Sequence, residues 1–207
     1  MGLAAKELEK SIRAVARRDT HVRAALKAIG MPSPRAGEPG FATLLAIMLG
    51  QQLSIKAAAT IRRRLIELLG EVTPEAVLCQ SEEALRAVGL SRQKVAYARA
   101  LATAVAQGAL DFNALARLPD EEAGAAIRAV KGFGQWSADI YLLFCEGRPD
   151  IWPAGDLALQ VALQRLKGLA ARPTAKESLS HVAPWRPHRG AMAVFLWHYY
   201  ANSAAPI

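Results

Sequence analysis

Apolar residues recur along this chain every three to five positions, the spacing of helices with one buried stripe. Leu3, Leu8, Ile12 and Val15 set the first such run; Val22, Leu26 and Ile29 set the second, which Asp19-Thr20 would open and Gly30 would close. The segment 31–40, MPSPRAGEPG, holds three prolines and two glycines and reads as a linker. FATLLAIMLGQQL (41–53) is apolar on nearly every side, as a helix inside a core would be, and stops at Gly50-Gln51-Gln52. Ser54 caps IKAAATIRRRLIELL, ended by Gly70, and Thr73-Pro74 pairs an N-cap with proline at the first helical position. Ser81 opens EEALRAV up to Gly89, Ser91 opens RQKVAYARALATAVAQG, and 110–118 is a connector or a one-turn helix.

Leu118 to Gln160 organises the remainder. Asp120, Glu121 and Glu122 stand where a helix N-terminus favours acid, Arg128 stands in the last turn, and the helix is expected to end at Val130-Lys131. After Lys131-Gly132-Phe133-Gly134, a second helix starts at Gln135 or Trp136, with Trp136, Ile140, Leu143 and Phe144 as its apolar face. Asp156 opens LALQVALQRLKGL, which Gly168 interrupts near its end; Thr174 opens AKESLSHVA; Pro184 to Pro187 breaks the chain before a last helix, His188 to Tyr200. No stretch alternates with period two, so the expected fold is all-α, without strands.

Two features carry candidate chemistry. Glycines at 132 and 134, just before a helix start, leave backbone N–H groups pointing outward, a concave end that binds phosphate without reading sequence, with Lys131 adding charge. The same pattern also fits an ordinary turn between packed helices. Asp156 fits a plain N-cap, and equally a carboxylate held at the positive end of a helix dipole.

Composition narrows the partners. With 52% hydrophobic residues, the 207-residue chain can bury a core. No apolar run spans a bilayer and the charged N-terminal stretch has no apolar signal core, so a cytoplasmic protein is expected, nucleoid-associated if bacterial. A net charge of +8 suits a polyanion, though a merely basic soluble protein would show it too. Cys79 and Cys145 lack metal spacing and are expected as buried, reduced thiols; His21, His181, His188 and His198 show no ligand spacing either.

Val130-Lys131-Gly132-Phe133-Gly134, with Trp136, Ala138 and Asp139, resembles the helix–hairpin–helix of the DNA glycosylase superfamily. That superfamily pairs the motif with a Gly/Pro-rich loop and an aspartate, here matched by Arg148 to Gly155 and by Asp156. Leu49-Gly50-Gln51-Gln52-Leu53-Ser54 with Lys56-Ala57-Ala58 is similar to the wedge region of the 3-methyladenine DNA glycosylase II branch, the AlkA and Mag proteins. Gly89 to Lys94, Trp185 to Gly190 and Phe195-Leu196-Trp197 also resemble that branch, and the matches run from about 41 to 200 in the family's order.

The resemblance implies two helical subdomains with the active-site cleft between them: 1–37 with 149–207, and 38–148, the latter holding the helix–hairpin–helix at 118–147. It implies a monomeric, monofunctional glycosylase acting on double-stranded DNA with a damaged base, hydrolysing the N-glycosidic bond of alkylated purines. Asp156 would be catalytic; Trp136, Trp197, Ile140 and Ala158 would line the base pocket; Gln52 and Leu53 would form the wedge, Gln52 otherwise being a polar helix-end residue. Lys131, Gly132, Phe133, Gly134, Gln135, Lys56, Arg92, Lys94 and Arg189 would meet phosphates, whereas Arg62-Arg63-Arg64 reads as a solvated face. No cofactor is required, but backbone carbonyls of Arg128, Val130 and Phe133 could hold Na+ or K+. Tyr199 and Tyr200 are expected in the core, and Asp139 is expected to bond the backbone rather than orient groups at the hairpin.

Two departures shape the expectation. The extra N-terminal β-domain of some AlkA proteins has no counterpart here, and Trp136 replaces the lysine that lyase members carry at the start of the second helix. Ile140, where some relatives have tyrosine, makes the pocket less polar. The alternatives are a glycosylase of the same fold for oxidised, deaminated or ethenoadenine-type bases, and a non-catalytic helix–hairpin–helix DNA-binding protein.

Overall fold

The computed structural model describes residues 3–203. The helices are α1 (Ala5–Arg18), α2 (Thr20–Ile29), α3 (Phe41–Gly50), α4 (Ile55–Leu69), α5 (Pro74–Cys79), α6 (Glu82–Ala87), α7 (Arg92–Ala106), α8 (Phe112–Leu115), α9 (Asp120–Arg128), α10 (Gln135–Phe144), α11 (Leu157–Lys167), α12 (Ala175–Val182) and α13 (Arg189–Asn202), with a 3-10 turn at Ala183–Trp185. No strand occurs among the described residues, and no helix is long and apolar enough to cross a membrane.

Polar side chains set where these helices begin. Asp19, Ser54, Thr73, Ser81, Ser91, Asp111, Asp156 and Thr174 each accept a hydrogen bond from a backbone N–H of the helix they precede. Each satisfies a donor that has no partner inside its own helix. Glu177 completes a capping box with Thr174. At the other end, Gly168 takes the left-handed conformation, φ 63°, and ends α11 rather than interrupting it. α9 stops at Arg128, slightly earlier than its sequence pattern suggests.

The chain divides into two compact units: residues up to Gly37 with those from Leu142 onward, and Glu38–Tyr141. The second boundary falls inside α10, not after residue 148. In the central unit, α7 packs against α3, α5 and α6. Leu44, Leu45, Met48, Val77, Leu85, Val95 and Leu101 are buried there, each large side chain contributing about 1.5–3 kcal/mol by leaving water. In the terminal unit, α11 packs on α13 and α2, and α1 on α2 and α13, over Leu8, Ile12, Val15, Leu159, Leu163, Met192 and Phe195. Asp19 ties that unit together: Oδ1 caps α2, while Oδ2 accepts from Lys167 Nζ at 2.6 Å and Trp185 Nε1 at 2.8 Å.

Three expectations are corrected. Cys145 is buried but Cys79 is exposed, because α5 is too short to bury more than Val77. Tyr200 is exposed, with the Arg165 guanidinium 5.3 Å from its ring centroid. On α10 the buried positions include Ala138, Tyr141, Leu142 and Leu143, whereas Trp136 keeps 36% of its surface and Ile140 is half-buried. Ser137 and Asp139 of α10 are buried as well, so the apolar spacing alone does not name its inward side.

Candidate active site and nucleic-acid interface

Asp156 sits where the 148–155 loop meets α11. Trp152 O accepts from Ala154 N at 2.8 Å, Pro153 O from Asp156 N at 2.9 Å and Ala154 O from Gln160 Nε2 at 2.8 Å, so the last turns of the loop are fixed by two backbone bonds and by the Gln160 side chain. The loop's first half is fixed by α13. Asp150 accepts a bidentate pair from Arg189, Nε to Oδ1 and Nη2 to Oδ2, both 2.9 Å. Gly190 N donates to Pro149 O at 2.8 Å. A Cβ on Gly190 would lie 2.7 Å from that oxygen and 2.8 Å from Leu143 Cδ1, so only glycine allows this approach.

The half-buried Asp156 carboxylate is held on this frame. Its Oδ1 accepts from Leu159 N at 3.0 Å, as an N-cap, and from Trp197 Nε1 at 3.2 Å. The Trp197 ring is packed in turn against Phe144, centroids 5.5 Å apart. Capping leaves the group fixed in position, which is compatible with the charge-stabilising reading of Asp156. Ala158 is half-buried in the first turn of the same helix.

The hairpin between α9 and α10 is built on Phe133, which is buried and whose N–H donates to Val130 O at 3.2 Å. Its two glycines do different work. Gly132 has φ +98°, and a Cβ there would stand 2.3 Å from the Tyr97 ring. Gly134 is exposed with nothing within 4 Å of its Cβ position, leaving the backbone open to a close ligand. Lys131 is exposed beside it. Gln135 does not send its side-chain amide outward; it donates to Asp139 Oδ1 at 2.8 Å. Asp139 thus bonds a side chain, not the backbone expected. Burial pushes its carboxyl up to about 6, partly offset by the Gln135 bond and by Arg128.

The wedge turn joins α3 to α4. Gln52 is exposed at its tip with φ 57°, a left-handed conformation costing a non-glycine residue about 1 kcal/mol. Leu53 is 38% exposed and Ile55 is 91% exposed. Ile55, which the sequence reading did not single out, stands just inside the Ser54 cap. Gln51 turns the other way, its Nε2 donating to Gly132 O at 3.1 Å and Ser137 Oγ at 2.9 Å. A cavity of about 530 Å³ opens beside this turn, lined by Gln52, Tyr97, Gly132 and Gly134 among others.

Of the remaining basic residues, Lys56 and Arg92 are exposed in the first turns of α4 and α7. Two others are engaged within the protein. Lys94 Nζ donates to Leu49 O at 2.6 Å and Gln51 O at 2.9 Å, and burial pushes its pKa down. Arg189 is engaged by Asp150 and its side chain is only 13% exposed. Sequence places both as cations near the motif but not what neutralises them. Among the described residues no group of three His, Cys, Asp or Glu side chains is placed to hold a metal ion.

The chain is similar to known repair proteins. Residues 45–187 match the family model described as HhH-GPD superfamily base excision DNA repair protein. DNA-3-methyladenine glycosylase 1 of Schizosaccharomyces pombe is 32% identical over 158 residues, which are 74% of this chain and 69% of that protein. The crystal structure of a Bacillus halodurans DNA-3-methyladenine glycosidase superposes with a TM-score of 0.83 at 29% identity, covering 93% of this chain and 89% of that one. The S. pombe glycosylase Mag1 in complex with abasic DNA gives 0.84 at 28% identity, covering 91% and 95%. The first curated relatives it matches are longer: the aligned segments span 56, 69 and 59% of their lengths.

Proposed function

The chain belongs to the HhH-GPD superfamily of base excision DNA repair proteins, and on that footing we propose that it hydrolyses the N-glycosidic bond of alkylated purines flipped out of duplex DNA. Purines methylated at N3 or N7, as in 3-methyladenine and 7-methylguanine, are the substrates this reading favours. The observation that carries it is the Asp156 carboxylate, held by Leu159 N and Trp197 Nε1 at the end of a loop anchored to α13.

An alkylated purine is cationic, so it leaves with the bonding electron pair as a neutral base and needs little acid catalysis. The deoxyribose left behind passes through an oxocarbenium-like transition state, and water adds to its C1′. Asp156 faces that charge and helps position the water; a fixed carboxylate lowers the barrier without itself reorganising. Trp197 offers an indole face to an electron-poor ring, and Trp136, exposed at the start of α10, is assigned the same chemistry. Gln52 fills the gap that the flipped base leaves in the stack.

The hairpin grips the DNA backbone through the N–H groups around Gly134, with Lys131 alongside. The carbonyls of Arg128, Val130 and Phe133 are the groups that would hold a monovalent cation there. Val130 O accepts the Phe133 N–H at 3.2 Å, and a carbonyl oxygen carries a second lone pair that such an ion would use. Phosphate contacts are assigned to Lys56, Arg92 and Lys131, and Trp136 at the lyase position makes the enzyme monofunctional, since no amine is there to form a Schiff base.

The test is base release from methylated duplex DNA compared with uracil- and hypoxanthine-containing duplexes. Release of methylpurines leaving an intact abasic site, with no borohydride-trapped adduct, is expected. Preferential release of uracil or hypoxanthine would move the substrate class, a trapped adduct would overturn the monofunctional reading, and binding without any release would favour a non-catalytic module.

A further inference from the structure

The wedge turn is held from two sides by contacts that its sequence does not announce. α3 ends at Gly50, and the last carbonyls of a helix have no helical N–H to satisfy them. Lys94, in the first turn of α7, fills that gap. Its ammonium bridges Leu49 O and Gln51 O, the carbonyls on either side of Gly50. On the opposite side, Gln51 donates to Gly132 O of the hairpin and to the buried Ser137 hydroxyl of α10. Residue 51 is therefore fixed by its backbone to α7 and by its side chain to the hairpin, and the next residue is the left-handed Gln52. The turn's own backbone bonds, Gln51 N to Met48 O at 3.2 Å and Leu53 N to Gly50 O at 3.3 Å, stand at the long end of the usual range.

We propose that Lys94 is a positioning residue: with Gln51 it latches the wedge turn, keeping Gln52 extended toward DNA and in register with the phosphate-gripping hairpin before any base is flipped. The proposal rests on Gln52 acting as the wedge. The Lys94 side chain is half-buried and its ammonium is given to two carbonyls of the turn. Because Gly132 O is both a hairpin atom and the acceptor for Gln51, the latch ties the insertion element to the backbone grip, so that filling the gap and holding the strand occur in one geometry.

Lys94→Met keeps the length and removes the donors; Lys94→Arg restores charge and donors. Two measurements separate the latch from the function reading. The first is hydrogen exchange of the amides at 51–54 in the free protein. The second is affinity for a duplex with a tetrahydrofuran abasic analogue relative to an undamaged duplex, with its salt dependence. In Lys94→Met, exchange is expected to quicken and the abasic preference to fall, each about tenfold, the weight of a hydrogen bond from a charged donor. Lys94→Arg should recover both to within about threefold. Unchanged exchange, or unchanged preference despite quicker exchange, overturns the proposal, as does equal impairment in both variants. A uniform loss of affinity for both duplexes with a flatter salt dependence makes Lys94 a phosphate ligand and overturns it too. Should the wild-type protein show no abasic preference, the glycosylase reading has failed, and exchange still decides whether the latch exists.

Discussion

Trp197 donates its indole N–H to the same Asp156 oxygen that caps α11, 3.2 Å away, while Leu159 N donates to it from 3.0 Å. One carboxylate oxygen thus serves the helix and the indole together, and the indole ring packs on Phe144. Trp197→Phe keeps an aromatic face and deletes the donor. Single-turnover base release is expected to fall about tenfold, the weight of a hydrogen bond to a charged group, with the melting temperature nearly unchanged. An unaltered rate would mean that Trp197 does not position Asp156.

The two hairpin glycines should respond differently to the same methyl group. In Gly132→Ala the new Cβ would meet the Tyr97 ring at 2.3 Å in a backbone region, φ +98°, that L-residues rarely adopt. A loss of about 2 kcal/mol or more is expected by denaturant unfolding. Gly134→Ala has open space and should change stability by less than about 0.5 kcal/mol while weakening affinity for duplex DNA. Equal stability losses in the two variants would contradict this division of labour.

Asp139 gives a pH-dependent prediction. Burial raises its folded-state value from 3.8 to about 6. Between these values the folded protein binds more protons at this site than the unfolded chain, so the site's contribution to stability falls as pH rises through that window and is flat above it. Asparagine can still accept from Gln135 and carries no charge to desolvate. The stability of Asp139→Asn relative to wild type is expected to climb by about 1–3 kcal/mol from pH 4 to pH 7. Urea titrations at both pH values would show it, and a difference independent of pH would contradict it.

Arg189 and Arg92 test the reassignment of the basic residues. Arg189→Met leaves the Asp150 carboxylate without its bidentate partner and is expected to cost about 3 kcal/mol. It should leave the slope of DNA affinity against salt unchanged. Arg92→Ala should do the reverse, keeping stability and reducing the slope by about one. A reduced slope in Arg189→Met would restore it as a phosphate contact.

The helices were legible because their boundaries are local: Ser54, Ser91, Asp156 and Thr174 cap from side chains adjacent in sequence to what they cap. The hairpin and Asp156 were legible as a motif, since their chemistry needs particular residues at short spacing. What stayed hidden depends on partners far along the chain. Lys94 meets Leu49 O and Arg189 meets Asp150, pairings no periodicity reveals, so each cation looked free for DNA. The exposed side of α10 was hidden for another reason: polar Ser137 and Asp139 are buried while Trp136 is exposed, so the apolar spacing does not mark the inward side.

On the proposed function, the negative charge of Asp156, not its hydrogen bonding, drives cleavage of the glycosidic bond. Asp156→Asn separates the two, since asparagine caps a helix about as well as aspartate but carries no charge. The most direct measurement is the single-turnover rate of 7-methylguanine release from methylated duplex DNA at saturating protein, with melting temperature and abasic-duplex affinity measured in parallel. The expected result is a rate lower by about a hundredfold or more with folding intact, the scale of removing a preorganised electrostatic group. Release at the wild-type rate by a folded Asp156→Asn protein would contradict the account.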